Sequence, residues 1–306
     1  MITRLEKNKK ITKEIKKETN KEKKEKRNKK IKKALLFLLG LIFIFFIYSM
    51  FIEPHMLIIK EYSIKSNNVK DDIHGIKIVH FSDLHYGSSI NSKNIDKIIT
   101  KINELEPDIV IFTGDLVDIR YTDKYTDEDI DKLVSSLKNI NVTLGKYSIL
   151  GNHDYNYNKL SNIYYESEFN LLINKSDIIY GKNGSTIGIY GFDNITYGNP
   201  LLDGLKDEKF KDTTYKIVLI HEGDYINYFI NDYNINLILG GHSHNGQVKI
   251  PFLNPLFLPN GSKTYYEPYY NINDTDIYIS NGIGESPINI RFNSIPSINF
   301  YRLNKK

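Results

Sequence analysis

The sequence predicts an α/β fold of two packed mixed β-sheets flanked by helices, preceded by one transmembrane helix. Short apolar runs alternate with segments of helical periodicity from residue 76 to residue 246, and alternating strand patterns follow. A single uncharged apolar stretch lies near the amino terminus. The length of 306 residues and the hydrophobic content of 41% fit one sizeable domain after that stretch.

The amino-terminal segment, residues 1–33, is a basic tail. It holds 16 Lys or Arg and 5 Glu, so it carries a net charge of +11 and the rest of the chain carries −7. A low-complexity tail of this composition is more typical of a disordered or loosely helical segment than of a nucleic-acid clamp. The chain contains no cysteine, which excludes disulfide bonds and thiolate metal sites.

Residues 34–52 are predicted to form the transmembrane helix. They comprise 19 residues without a charge, and a helix of that length spans roughly 28 Å, close to the thickness of the bilayer hydrocarbon. A cleavable signal peptide is disfavoured because the run is too long and no small-residue cleavage site follows. The positive-inside rule then predicts a single-pass protein of the cell membrane, with a cytoplasmic amino terminus and the main domain on the outer side. The membrane would separate the basic tail from the acidic domain, which disfavours a nucleic-acid partner.

Residues 53–75 are interpreted as a connector, and residues 76–306 as the main domain. Strands are predicted at 76–81, 109–112 and 147–150, with helices between them. The helical faces consist of Ile95, Ile98, Ile99, Ile102 and Leu105, and of Ile130, Leu133, Val134 and Leu137. The first strand, helix and strand form a βαβ unit, for which a right-handed crossover is expected.

In the later part of the main domain, the sequence pattern predicts more strands than helices. Strands are expected at 186–190, 216–220 and 237–239, with a helix over 225–230, and then at 247–250, 276–280, 288–292 and 298–303. The proline-rich segment 251–259 cannot be a central strand. It is either a loop packed over the sheet or an apolar lip that faces the membrane or an acyl chain.

The run at 109–112 ends in Gly114 and Asp115, which form the centre of the predicted site. If the run is a buried strand, Asp115 lies at its carboxyl end, where open α/β sheets bind ligands, and we expect its carboxylate to bridge two metal ions. Other strand ends offer further ligands: Asp83 and His85, Asn152 with His153 and Asp154, His221, and the pair His242 and His244. The remaining histidines, His55, His74 and His80, are interpreted as interface, loop and strand positions.

Five blocks follow one another along the chain. They are Asp83 Leu84 His85, Gly114 to Asp118, Gly151 to Asp154, His221, and Gly241 to His244. In this order the blocks resemble those of the calcineurin-like metallophosphoesterases, over residues 76–246. The chain also resembles the membrane-anchored subgroup that is similar to UDP-2,3-diacylglucosamine hydrolases.

The resemblance implies a metallophosphoesterase sandwich with two divalent metal ions. It implies that the first ion is held by Asp83, His85, Asp115 and His244, and the second by Asp115, Asn152, His221 and His242. His153 is then expected to contact the phosphate, with Asp154 orienting it. Asp118 and Asp224 are candidate outer carboxylates, or else turn or capping residues. Mixed His, Asp and Asn ligands favour Mn, Fe, Zn, Co or Ni over Mg or Ca.

The implied reaction is attack of a metal-activated hydroxide on a phosphodiester or pyrophosphate, whose carrier is a phosphorylated small molecule or an envelope lipid. Two alternatives stay open: a phosphomonoesterase or nucleotidase on the same metals, and a metal-stabilised envelope binding protein without turnover. The chain departs from the family pattern at Glu222, Gly223, Ser243 and Asn245, which avoid the predicted ligands and bear on substrate specificity. The sequence favours no particular oligomeric state.

Overall fold

The computed structural model describes residues 4–155 and 157–306, which separate into two compact units with a boundary after residue 49. The helices are α1 (Arg4–Ile47), α2 (Ile95–Glu104), α3 (Asp127–Lys138), α4 (Leu160–Glu166) and α5 (Glu208–Lys211). The strands are β1 (Ile58–Ser66), β2 (Lys77–Phe81), β3 (Ile109–Phe112), β4 (Gly145–Ser148), β5 (Asn170–Leu171), β6 (Lys175–Tyr180), β7 (Thr186–Gly191), β8 (Tyr215–Ile220), β9 (Leu237–Gly240), β10 (Tyr269–Ile272), β11 (Thr275–Ile279) and β12 (Ser297–Lys305).

The amino-terminal unit is the long helix α1. Its apolar side chains are exposed, among them Leu36 at 68% and Phe37 at 69%. Within the described residues, the helical stretch Lys10–His55 is the one candidate long and apolar enough to cross a membrane. Water disfavours so large an apolar surface, so the helix suggests a membrane anchor.

The second unit contains two six-stranded sheets. The first has the order β1-β12-β2-β3-β4-β5, and the second has the order β10-β11-β9-β8-β7-β6. In the first sheet β2, β3, β4 and β5 run parallel, and β12 pairs antiparallel with β2. In the second sheet β7, β8, β9 and β11 run parallel, and β6 and β10 are antiparallel edge strands. The predicted fold of two mixed sheets flanked by helices is confirmed.

Strand β3 shows how the layers pack. Its side chains alternate between the two faces of the sheet, as in any extended strand. Val110 and Phe112 belong to the apolar cluster that includes the buried faces of α2 and α3. Ile109 and Ile111 belong to the cluster between the two sheets, with side chains of β7, β8 and β9. A strand buried on both faces reads as a continuous apolar run, which is why the sequence located β3 so closely.

Helices α2 and α3 form where their sequence signals predict. In α2, Ile95, Ile98, Ile99 and Ile102 are buried on one face. Helix α3 begins with a capping box, in which the Thr126 side chain accepts from the Asp129 backbone and the Asp129 side chain accepts from the Thr126 backbone.

The structure differs from the sequence analysis in several elements. Strand β1 lies inside the predicted connector 53–75 and pairs in parallel with β12, a partner more than 200 residues away. No sequence pattern predicted β5, β6, β10 or α4. The expected helix at 225–230 is instead a 3₁₀ segment, Gly223–Tyr228.

Two predicted strands, at 247–250 and 288–292, are absent as strands from the described part of the chain. A single bridge between Val248 and Phe292 joins these segments. Pro251 follows the first segment directly and offers no backbone N–H to a ladder, so the pairing stops there.

Candidate metal centre

The predicted ligands lie at the carboxyl ends of adjacent parallel strands. The loops after β2, β3 and β4 of the first sheet carry Asp83, His85, Asp115 and Asn152, and the loops after β8 and β9 of the second sheet carry His221, His242 and His244. Both sheets therefore contribute side chains to one site, as the strand-end argument predicted.

Two glycines allow the loops to approach so closely. A Cβ atom on Gly151 would lie 2.2 Å from Asp115 Oδ1, and one on Gly241 would lie 2.1 Å from Ser82 Oγ. Any side chain at Gly151 would push the β3 and β4 loops apart, and any side chain at Gly241 would separate the two sheets at the site.

The first ligand cluster consists of Asp83, His85 and His244. Its candidate ligand atoms all lie within 4.8 Å of one another. His85 Nε2 lies 3.2 Å from His244 Nε2, and His244 Nε2 lies 3.5 Å from Asp83 Oδ1. His85 Nε2 is also 3.6 Å from Asp115 Oδ2, which links this cluster to the second one. Bonds of about 2 Å from these nitrogen and oxygen atoms could reach one common ion.

The second ligand cluster consists of Asp115, His221 and His242, again within 4.8 Å. His221 Nδ1 lies 2.6 Å from the carbonyl oxygen of Thr113, which can only accept, so Nδ1 carries the hydrogen. In the neutral ring, Nε2 then presents a lone pair 3.3 Å from Asp115 Oδ2. Two buried acceptors face each other stably only when a proton or another cation lies between them.

The other predicted ligands, His242 and Asn152, also have an atom free to bind a metal ion. His242 Nε2 donates to the Asn260 carbonyl at 2.9 Å, which leaves Nδ1 free as a ligand atom. Asn152 Oδ1 and His221 Nε2 are buried, and neither has a hydrogen-bond partner among the described residues. These atoms have free lone pairs and lie beside a buried carboxylate. Such nitrogen and oxygen atoms are the ligands that a divalent transition metal requires.

The pKa values follow the same logic. Burial lowers the pKa of His85 to about 3 and lowers the pKa of His244 well below its ordinary value, so both rings are neutral and keep a lone pair. Burial also disfavours charge on His221, but the Asp115 carboxylate outweighs this effect and raises the pKa of His221 well above its ordinary value. Burial, together with the charge of Asp115, raises the pKa of Asp83 to about 6. The cluster therefore attracts positive charge.

Backbone strain is concentrated at these ligands. The φ angles are 52° at Asp83, 45° at His85, 58° at Asp115, 66° at His242 and 48° at His244. Left-handed conformations of residues other than glycine cost of order 1–3 kcal/mol each and cluster at functional sites. Packing and hydrogen bonds around the loops must maintain them.

The structure does not place Asp154 where it could orient His153. Its carboxylate accepts the backbone N–H groups of residues 115–117 and of Gly151, at distances of 2.8 to 3.3 Å. This differs from the sequence-based expectation, because the backbone groups of the two ligand loops already occupy both oxygens. The backbone N–H of His153 donates to Asp115 Oδ1 at 2.8 Å, whereas beside the His153 ring lies Asp118, whose Oδ1 is 3.9 Å from Nδ1.

Two other side chains from the sequence analysis, Asp224 and Glu222, accept hydrogen bonds that fix neighbouring loops. Asp224 accepts the backbone N–H groups of residues 263–265 at 2.7 to 3.2 Å, which is the turn-forming alternative. Glu222 is buried and accepts from Asn194 Nδ2 at 2.6 Å and Thr196 Oγ1 at 3.0 Å. His80 lies buried in β2, with Nε2 2.9 Å from a threonine hydroxyl, which is consistent with the strand position expected for it.

Four ligands line an open cavity, namely His85, Asp115, His242 and His244, and the fully buried Asp83 and His221 lie behind them. These six residues are the floor of the cavity. Its rim, defined as residues 251–259 with Pro287 and Ile288, is apolar, and Phe257, Pro259 and Pro287 line the cavity directly. Phe252 is fully exposed, and Phe257 and Ile288 are 64% and 61% exposed. Phe252, Leu253, Leu256 and Phe257 thus project into solvent rather than covering the sheet.

Two lining residues were not anticipated from the sequence. Arg120 donates from Nε to Asp118 Oδ1 at 2.9 Å and lines the cavity. Ser286 Oγ lies 3.5 Å from His153 Nε2. Arg120 follows the second block by two residues, a signal that could have found it, whereas no pattern distinguishes Ser286.

The family whose sequence model matches this chain is described as Calcineurin-like phosphoesterase, and the match covers residues 76–246. The chain belongs to the calcineurin-like phosphoesterase family. The family predicted from the five blocks is confirmed, and so is the prediction of a metal-dependent hydrolase of phosphoric esters. Enzymes of this family use two metal ions, which agrees with the two clusters in the floor. The alternative of a binding protein without turnover is disfavoured.

Several metallophosphoesterases are similar to this one. The Bacillus subtilis (strain 168) protein named uncharacterized metallophosphoesterase YkuE is 33% identical over 84% of this chain and 88% of its own length. The Campylobacter jejuni metallophosphoesterase Cj0846 is 28% identical over 74% of this chain, which spans 58% of that protein. The UDP-2,3-diacylglucosamine pyrophosphatase LpxG of Chlamydia muridarum is 25% identical over 66% of this chain and 73% of its own length.

Proposed function

We propose that this metallophosphoesterase is a membrane-anchored phosphodiesterase or pyrophosphatase with a dinuclear metal centre. Asp83, His85 and His244 would hold the first ion, His221, His242 and Asn152 the second, and Asp115 would bridge both. The observation that carries the proposal is the buried contact between His221 Nε2 and Asp115 Oδ2, 3.3 Å apart, which is stable only with a proton or another cation between the two atoms. A cation between them removes their repulsion.

Bound metal ions would polarise the phosphoryl group and lower the pKa of a water molecule. The nitrogen and oxygen ligands favour Mn, Fe, Zn, Co or Ni. The chain itself buries the ligand side chains and holds their atoms in place through the strained loops. Arg120, at the cavity wall, offers a guanidinium to a phosphate oxygen that is not bound to metal.

His153 is the proposed acid for the leaving oxygen. It lines the cavity beside the floor, and its side chain is 19% exposed, so a substrate can reach it. Asp118 Oδ1 lies 3.9 Å from its Nδ1 and would hold the ring in one orientation. We therefore assign to Asp118 the orienting role that the sequence analysis gave to Asp154.

The apolar rim supports an amphiphilic substrate, such as a phosphorylated envelope lipid. Exposed phenylalanine and leucine side chains beside a polar floor match a molecule with an acyl chain and a phosphate group. The similarity to LpxG, whose name gives UDP-2,3-diacylglucosamine as substrate, points in the same direction.

The membrane arrangement belongs to the same proposal. The apolar run 34–52 would span the bilayer, the basic residues 1–33 would remain in the cytoplasm, and the catalytic unit would act on the outer side. Each lysine near an anionic leaflet adds about 1 kcal/mol of attraction. Protease protection of the tail in sealed vesicles tests this orientation.

The activity is tested with the full chain in detergent, loaded with Mn²⁺, on a chromogenic phosphodiester and the matching monoester. The proposal expects faster turnover of the diester, and Asp115→Asn serves as the inactive blank. A preference for the monoester would support the phosphomonoesterase alternative. A panel of phosphorylated lipids and nucleotides then identifies the substrate class, and a preference for nucleotides would contradict the lipid assignment.

A further inference from the structure

Glu53 is a buried carboxylate at the start of the catalytic unit, directly after the predicted membrane span. It is 1% exposed. One carboxylate oxygen accepts the backbone N–H of Ser294 at 2.6 Å, and the other accepts the backbone N–H of Asn293 at 3.0 Å. Because a buried carboxylate is costly unless it is hydrogen-bonded, these contacts fix Glu53 to the segment that precedes β12.

Ser294 continues the connection to the floor. Its hydroxyl donates to the carbonyl oxygen of His244 at 2.6 Å, and its own carbonyl accepts from Arg291 Nη1 at 2.8 Å. Two hydrogen bonds therefore separate the Glu53 carboxylate from the backbone of a proposed metal ligand.

Arg291 holds the same histidine at its ring. The guanidinium is fully buried, and Nη2 lies 3.3 Å from His244 Nδ1. The carbonyl oxygens of Gly282 and Gly284 accept from Nη2, and Glu285 lies 3.7 Å from Nε. These contacts fix Arg291 in one orientation. A guanidinium only donates, and a histidine that binds an ion through Nε2 carries its hydrogen on Nδ1, so Arg291 confines the imidazole by packing while Ser294 restrains the backbone.

His244 needs such restraint because its backbone has a φ of 48°. A left-handed histidine relaxes unless its surroundings maintain it. Relaxation would move Nε2 away from His85 and Asp83, the two partners with which it forms the first ligand cluster.

We infer that Glu53 is a positioning residue for the metal site that contains His244, acting through Ser294 and Arg291. The inference rests on the proposed ligand assignment. The segment directly after the predicted membrane span would then help to position a metal ligand, in addition to connecting the span to the catalytic unit. Metal occupancy of the first site would then depend on the Glu53 carboxylate and its contacts with the segment before β12.

The test uses the full chain in detergent with Mn²⁺ as the probe, followed by isothermal titration and electron paramagnetic resonance. Glu53→Gln keeps one acceptor oxygen and replaces the other with an amide nitrogen, so one backbone N–H loses its partner. We expect one of the two Mn²⁺ ions to bind about 10–100-fold more weakly, as for the loss of other outer contacts to metal ligands. The spectrum should change from coupled dinuclear to mononuclear.

Ser294→Ala provides a second, smaller change, because it removes only the hydroxyl contact with His244. Its matched control is Ser297→Ala, since Ser297 is buried and its hydroxyl has no hydrogen-bond partner among the described residues. The control for Glu53 is Glu61→Gln, an exposed glutamate of β1. Both controls should bind two ions with unchanged affinity.

The outcomes separate the two ideas. If the wild-type chain binds no pair of Mn²⁺ ions, the proposed metal centre fails. If the wild type binds two ions and Glu53→Gln and Ser294→Ala bind both equally well, the positioning role is wrong. Melting of each variant in EDTA detects a general loss of stability, and equal weakening of both ions would also contradict the inference.

Discussion

The floor of the cavity lacks a positive charge, whereas its rim lacks an apolar surface to cover it. The floor consists of buried acceptor atoms that approach one another to 3.2–3.6 Å, and it becomes stable when a positive charge enters. The rim consists of exposed apolar side chains, with Phe252 fully exposed and Leu256 at 68%, and it becomes stable when an apolar surface covers it. A phosphorylated lipid in the presence of metal ions would satisfy both regions. The same cavity thus combines a polar region that attracts cations with an apolar region that favours apolar groups.

The largest expected effect is that of Asp115→Asn in the floor. The neutral amide cannot offset the repulsion between two bound cations. We expect kcat to fall by about 10³-fold, the scale seen when one electrostatic stabiliser is lost. Metal-free protein should also melt below the metal-free wild type, because the amide loses the attraction between the Asp115 carboxylate and His221. Calorimetry with and without Mn²⁺ checks this prediction. A normal gain in melting temperature on adding metal would contradict the bridging role.

A second change tests whether every buried carboxylate near the floor serves the metals. Asp154→Ala leaves four backbone N–H groups without their acceptor, so we expect the free energy of unfolding to fall by about 3 kcal/mol or more. Urea unfolding in EDTA measures this loss. Unchanged metal-free stability with an altered pH profile of kcat would instead restore Asp154 to the orienting role.

The third change lies between floor and rim. Asp118→Asn removes the charge behind His153 and should lower kcat by about 10-fold, on the scale of an outer contact, while both metal ions remain bound. The measurement is kcat as a function of pH, together with metal stoichiometry. Loss of a metal ion from this variant would show that Asp118 supports the ligands rather than His153.

The smallest effect is expected at the rim. Replacing Phe252 and Phe257 by Ser should raise KM about 10-fold for a lipid substrate, because the two rings together can bury apolar surface worth about 1–2 kcal/mol, and should leave a soluble ester unaffected. The matched control is Tyr180→Ser, an exposed aromatic residue on the edge strand β6. Equal changes in KM for both substrates would show that the rim shapes the site and does not recognise an acyl chain.

The sequence located the elements whose signals are local. Strand β3 matches its predicted bounds because an apolar run buried on both faces needs no partner to be recognised, and α2 follows from one row of isoleucines. Strand β1 was missed because it has one exposed face and pairs with β12 at the far end of the chain. Edge strands of this kind depend on a long-range partner, which no local pattern contains.

The sequence by itself determined the family, the chemical types of the candidate ligands and the strand ends that carry them, because those depend on residue identity and short spacings. Only the tertiary structure decided which carboxylate does what. Asp115 presents its Oδ2 to the site, Asp154 is saturated by backbone N–H groups, and Glu53 connects to His244 through Ser294, 241 residues away. The physical reason is that a carboxylate takes its role from its hydrogen-bond partners, and partners distant in sequence meet only when the sheets assemble.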